Sequence, residues 1–139
     1  MITSQRENPA RPKAIGHAQI DKDHIVLWGL MGQVQRQIED APGSPDAKIQ
    51  FARMVTEAEQ QFHREEDMMK RSRYPLFARH RHSHHLLRAY IDRIKHRLTH
   101  GEVAVPSLVS DLWKSIAVHI ETQDQEFADF LSATNGIFP

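Results

Sequence analysis

Apolar residues recur along this chain at three- and four-residue intervals in four long stretches, separated by short polar breaks. The first stretch, from about Ala18 to Ile38, places Ile20, His24, Leu27, Met31, Val34 and Ile38 on one stripe. The second, from about Ala47 to Arg71, aligns Phe51, Met54, Ala58, Gln61, Phe62, Glu65 and Met69. The third, from about Leu76 to Leu98, aligns Phe77, His80, His84, Leu87, Ile91, Ile94 and Leu98. The fourth, from about Ser107 to Leu131, aligns Leu108, Leu112, Ile116, His119, Ile120, Asp124, Phe127 and Phe130. Such spacing is one face of an α-helix, and no alternating strand pattern competes with it.

The breaks carry helix-terminating chemistry. Ala41-Pro-Gly-Ser-Pro-Asp46 ends the first helix, and Ser44 or Asp46 can cap the second. Tyr74-Pro75 ends the second, because proline disfavours helix in the residue before it. Gly101 and Pro106 bracket the last loop. Helices of this length run roughly 30–37 Å, and short connections make sequential helices antiparallel neighbours. The expected fold is all-α, an antiparallel up-down-up-down four-helix bundle over residues 15–139, preceded by a polar arm at 1–14.

Six polar residues interrupt the apolar stripes: His24, Glu65, His80, His84, His119 and Asp124. They face the expected core, and a buried imidazole or carboxylate needs a partner. Alternating helix direction brings them to one end of the bundle. His24 is near the start of the first helix and Glu65 near the end of the second. His80 and His84 open the third, and His119 and Asp124 lie late in the fourth. His80 and His84, four apart, share a face and can bind one ion. His119 and Asp124, five apart, differ by about 140° on an ideal helix. That looser match suits a histidine on one ion and a carboxylate reaching sideways to bridge. Histidine and carboxylate without sulfur suit iron, manganese or zinc, and two bridging carboxylates imply two ions.

Composition narrows the picture further. The chain has no cysteine, which excludes thiolate ligands and disulfides and fits a cytoplasmic setting. Its formal net charge is zero, so nothing argues for nucleic acid as a partner. No apolar run approaches the ~20 residues of a membrane span. Ten histidines are the outlier, and several belong to a solvated surface.

The strings Ile20-Asp-Lys-Asp-His24, Phe62-His-Arg-Glu65-Glu66-Asp-Met-Met69, Tyr74-Pro75 through His80 and His84, and His119-Ile-Glu-Thr-Gln-Asp124 resemble the bacterial hemerythrin family. The likeness runs over about residues 15 to 127. It implies a non-haem, oxo- or hydroxo-bridged di-iron site that binds O₂ reversibly. By that resemblance His80, His84 and His119 bind one iron, and Glu65 and Asp124 bridge. His24 and the residue at position 61 bind the other iron, where O₂ lands.

Position 61 departs from the pattern, with glutamine where the family has histidine. A register shift to His63 and Asp67 does not rescue it, since two residues turn a helix by about 200° and would leave the stripe. Three outcomes remain open. Gln61 ligates weakly through its amide oxygen, it stands back and water takes the place, or Glu57 reaches in from one turn away. Each leaves that ion poorer in nitrogen donors and more weakly held. The expected function is therefore binding of O₂ or a related diatomic or peroxide ligand, as carrier, store or sensor, with O₂ binding altered. The alternative is oxidase-, peroxidase- or ferroxidase-like chemistry, and no catalytic side chain is assigned. A third reading is a bundle that has lost its metals and acts through surface contacts.

Leu27, Met31, Phe62, Met69 and Ile120 fit either plain core or the lining of an O₂ pocket. His63, His82 and Glu66 are expected at the surface, and His85 at a helix interface. His96 and His100 suit the C-terminal dipole of the third helix. His17 is read as either a surface residue or a cover over the mouth of the site. Trp28 and Trp113 are expected in the core. Oligomeric state stays open.

Overall fold

The computed structural model describes residues 10–41, 43–101 and 105–134, and among them four long helical segments form the bundle, with no strand. Helix α1 spans Ala18–Asp40, α2 Pro45–Arg71 and α3 Phe77–Thr99. The fourth segment is continuous but not uniform. It comprises α4, Val105–His119, a π-helical turn at Ile120–Asp124, and α5, Gln125–Ala133.

Local chemistry explains the ends. Ser44 rather than Asp46 caps α2, its Oγ accepting from the Ala47 amide at 3.0 Å, with Pro45 at the first helical position. Asp46 instead adds negative charge to the first turn, where the helix dipole favours it. Pro106 was expected outside the fourth helix. It falls in the first turn of α4, where its missing N–H leaves no intrahelical bond unmade. At the end of α2, the Tyr74 amide donates to the Met69 carbonyl at 2.9 Å, and Arg73 adopts a left-handed φ of 57°. A non-glycine residue there costs roughly 1–2 kcal/mol. The cost goes into a tight reversal that starts α3 at Phe77, so that His80 lies close to Glu65.

The helices pack as a ring, α1 on α2 and α4, and α3 on α2 and α4. Ile20, Met31, Ile38, Met54, Ile94, Leu112 and Phe127 fill the interior. Trp28 and Trp113 are buried and meet edge to face at 5.5 Å, joining α1 to α4. No helix among the described residues is long and apolar enough to cross a membrane. Residues 1–9 and 135–139, at the two ends of the expected arm and domain, lie outside the described residues.

Candidate metal centre

All four helical segments deliver side chains to one end of the bundle. The ligand-type atoms of Glu65, His80, His84, His119 and Asp124 lie within 4.8 Å of one another, and all five residues are buried. His80 and His84 stand one turn apart on α3, as their spacing requires. His119 and Asp124 do not obey α-helical spacing. The Gln125 amide bonds back to the Ile120 carbonyl, a five-residue step. This wider turn narrows the offset of about 140° expected of an α-helix, and His119 Nε2 comes 3.0 Å from Asp124 Oδ1.

The two carboxylates each divide their oxygens between two sides. Glu65 Oε1 lies 3.3 Å from His80 Nε2 and 3.1 Å from His84 Nε2, while its Oε2 lies 3.9 Å from His24 Nε2. Asp124 Oδ1 lies 2.9 Å from His80 Nε2 and 3.0 Å from His119 Nε2. Its Oδ2 lies 2.9 Å from His24 Nε2. Three imidazoles thus share one oxygen of each carboxylate, and His24 alone faces the others.

The residues fit a cation. His80 Nε2, His119 Nε2 and Asp124 Oδ1 are buried and close, yet none is in hydrogen-bonding geometry with a partner. A buried polar atom left unpaired costs about 1–3 kcal/mol, and a shared cation gives all of them a partner at once. Electrostatics agree. Burial pushes the His80 imidazole down, but the close negative charges of Asp124 and Glu65 outweigh it and lift the pKa to about 9. His24 and His84 are likewise raised against burial, chiefly by Asp124 and by Glu65 respectively. Burial opposes ionisation of Asp124, yet the surrounding histidines, His119 first, hold it well below the usual carboxylate range. The pocket favours positive charge.

Outer contacts set which ring nitrogen points inward. His84 Nδ1 donates to Glu66 Oε2 at 2.7 Å, and Arg88 Nη2 donates to the same oxygen at 3.3 Å. Arg88 is fixed from its other side by Glu59, with Nε at 2.9 and 3.0 Å from the two oxygens. Phe62 stacks on the His84 ring at 4.2 Å, and Arg88 lies over Phe62. His119 Nδ1 pairs with Ser83 Oγ at 2.9 Å. These partners leave both Nε2 atoms to face the centre. Glu66 corrects an expectation, since it is 8% exposed rather than at the surface. Adjacent glutamates lie about 100° apart on α2, so Glu65 reaches Nε2 and Glu66 reaches Nδ1 of the same imidazole. The consecutive pair in the sequence was the available signal.

Gln61 is buried but turned toward α1. Its Nε2 donates to the Asp23 carbonyl at 2.7 Å and to Glu57 Oε2 at 3.0 Å. Arg64 donates to both Asp23 oxygens, at 2.9 and 3.1 Å, and to Glu57 at 3.4 Å. Gln61 therefore engages Glu57 and the α1 backbone, and Glu57 is not part of the five-residue cluster.

The remaining histidines fall into place. His63 and His82 are exposed. His85 is exposed too, and pairs with Arg88 at 3.2 Å rather than filling a helix interface. His100 bonds the His96 carbonyl at 2.8 Å, closing α3. His17 is the N-cap of α1, its Nδ1 accepting from the Ile20 amide at 3.3 Å. Leu27, Met31, Phe62, Met69 and Ile120 are buried among core residues.

A family model described as the hemerythrin HHE cation binding domain matches residues 16–131. No match to a curated protein or to a solved structure is found.

Proposed function

This chain belongs to the hemerythrin family of HHE cation-binding domains, and we propose that it holds two non-haem iron ions and binds O₂ or a related small ligand as a carrier, store or sensor. His80, His84 and His119 hold one ion, Glu65 and Asp124 bridge, and His24 serves the other. The observation that carries this reading is the division of both carboxylates, one oxygen toward three imidazoles and the other toward His24. A mononuclear site needs no such division. Histidine and carboxylate donors without sulfur suit iron. Bound iron supplies the electrons for ligand chemistry. The chain buries the site, holds each Nε2 inward and presents two anionic bridges.

A second reading, oxidation of iron or consumption of peroxide, is favoured by Gln61. Its NH₂ group donates to Asp23 and Glu57 and is no metal ligand, so position 61 gives the His24 side no imidazole nitrogen. One experiment separates the two. The chain is loaded with Fe(II) without oxygen, its iron is counted, and O₂ is admitted. Two irons per chain and an absorption band that vanishes on deoxygenation and returns support ligand carriage. Immediate conversion to a ferric spectrum that deoxygenation does not reverse supports the oxidative reading. Less than one iron per chain sinks both.

A further inference from the structure

The chain carries ten histidines, and four of them, His24, His80, His84 and His119, belong to the buried centre. Outside it, one pair of imidazole rings meets among the described residues. His96 and His100 lie one turn apart at the end of α3, on the same face. Their ring centres are 4.3 Å apart, tilted by 40°, and both side chains are exposed. Two nitrogens bound to one zinc ion at roughly 2.0–2.1 Å each lie no more than about 4 Å apart. Rings at this separation reach a shared ion with small side-chain rotations.

The His100 ring is oriented as well as placed. Its Nδ1 lies 2.8 Å from the His96 carbonyl. A carbonyl only accepts, so Nδ1 carries the proton and Nε2 keeps its lone pair for a ligand. A backbone carbonyl on the second ring nitrogen is a common outer contact of metal-bound histidine. Helix capping alone does not require this bond, because the His100 backbone amide already donates to the same carbonyl at 3.2 Å.

Charge around the pair is mixed. Arg93, Lys95 and Arg97 share the helix, and Lys48 lies across the groove between α2 and α3. Exposed Asp92 stands one turn before His96 on the same face, and the last carbonyls of the helix carry partial negative charge. Neutral imidazoles bind by lone-pair donation, which selects nickel, copper or zinc over magnesium or calcium.

We propose that His96 and His100 chelate a divalent transition-metal ion at the surface, roughly 30 Å along α3 from His80, as a second site separate from the buried centre. The proposal does not depend on what fills that centre.

Zn²⁺ is the probe, titrated into the full-length chain. Long-range nitrogen–proton correlation spectra follow each imidazole separately, and midpoints are read against free Zn²⁺. His63, exposed and with no histidine one turn away, is the internal standard for a single imidazole. The His96 and His100 nitrogens should shift together, with one midpoint at least about tenfold below that of His63, because the second bond to a held ion is intramolecular. Separate midpoints, or midpoints equal to that of His63, overturn the proposal. In His96→Gln the His100 midpoint, and in His100→Gln the His96 midpoint, should rise to that of His63. A midpoint unmoved in either variant also overturns it. Both substituted residues are exposed, and the backbone amide at position 100 still closes the helix.

Discussion

Glu66 offers the sharpest test of the metal centre, because it touches no ion in any reading and acts only through His84. Its Oε2 takes the His84 Nδ1 proton at 2.7 Å, and His84 is fully buried. Removing the carboxylate has two consequences. The buried Nδ1–H loses its acceptor, worth about 1–3 kcal/mol. The imidazole also loses the contact that fixes its tautomer and raises its basicity, and such outer partners typically set 10- to 100-fold in metal affinity, or about 1.4–2.7 kcal/mol. The neighbourhood does not collapse to compensate, since Arg88 keeps its two bonds to Glu59 and its place over Phe62.

Glu66→Gln, which retains a neutral acceptor, is expected to weaken metal binding about tenfold, and Glu66→Ala closer to a hundredfold. Anaerobic competition for Fe(II) or Co(II) against a chromophoric chelator reads the affinity, and far-ultraviolet circular dichroism checks the fold. Asp67→Ala, the adjacent exposed carboxylate, is the charge-matched control. If Glu66→Ala binds metal within about twofold of that control, the hydrogen bond does not orient His84 and the outer-contact argument fails.

Other expectations follow from the same geometry. Gln61→His adds a nitrogen donor and breaks the bond to the Asp23 carbonyl. The second ion should then survive gel filtration where the parent loses it, and unchanged metal content would show that position 61 does not face that ion. Deleting exposed Thr122 shortens the His119–Asp124 spacing to four residues, which an ordinary α-turn aligns. Metal affinity should stay within about tenfold of the parent, and loss of binding would mean the π-turn does more than align these two residues. In the metal-free chain, His80 is raised from 6.5 to about 9. Its stabilising contribution is complete below pH 6.5 and is lost as pH rises through about 9. Asp124 is depressed, so its contribution is present above pH 3.8 and is lost as pH falls through its lower folded value. Urea midpoints of the metal-free chain should therefore decline from pH 6.5 to 9, while the loaded chain shows no such alkaline decline. Loading at neutral pH should release protons, read in weakly buffered indicator dye, and metal at a hundredfold above its Kd should add about 2.7 kcal/mol of stability.

The bundle was legible because polar residues sat where a 3.6-residue period demanded apolar ones, and burial leaves such groups few acceptable surroundings. Glu65, His80, His84, His119 and Asp124 cluster in the interior, with buried His24 against Glu65 and Asp124. Less legible was anything set by a neighbouring backbone. The five-residue His119–Asp124 spacing was visible, but only the i→i+5 bond of Gln125 turns it from a mismatch into an alignment. Glu66 lay off the stripe of its own helix, and only the α2–α3 seam makes that off-stripe position an interior one. The choice for Gln61 depended on a carbonyl of α1, which no pattern within α2 reveals.

On the proposed two-iron reading, those contacts confine the effect of a glutamine at position 61. The three-histidine half takes every residue from α2, α3 and the fourth segment, and its outer partners Glu66, Arg88, Glu59 and Ser83 come from α2 and α3. Helix α1 contributes His24 alone to the cluster's other side, and Gln61 binds that same helix through the Asp23 carbonyl. In the two-iron reading, a glutamine rather than an imidazole at 61 leaves one half of the centre with its full complement and concentrates the difference at the α1–α2 seam. That seam adjoins the residues lining the cavity beside His24. The half with fewer donors is thus also the half nearest an opening, and exchange of ions or ligands should begin there.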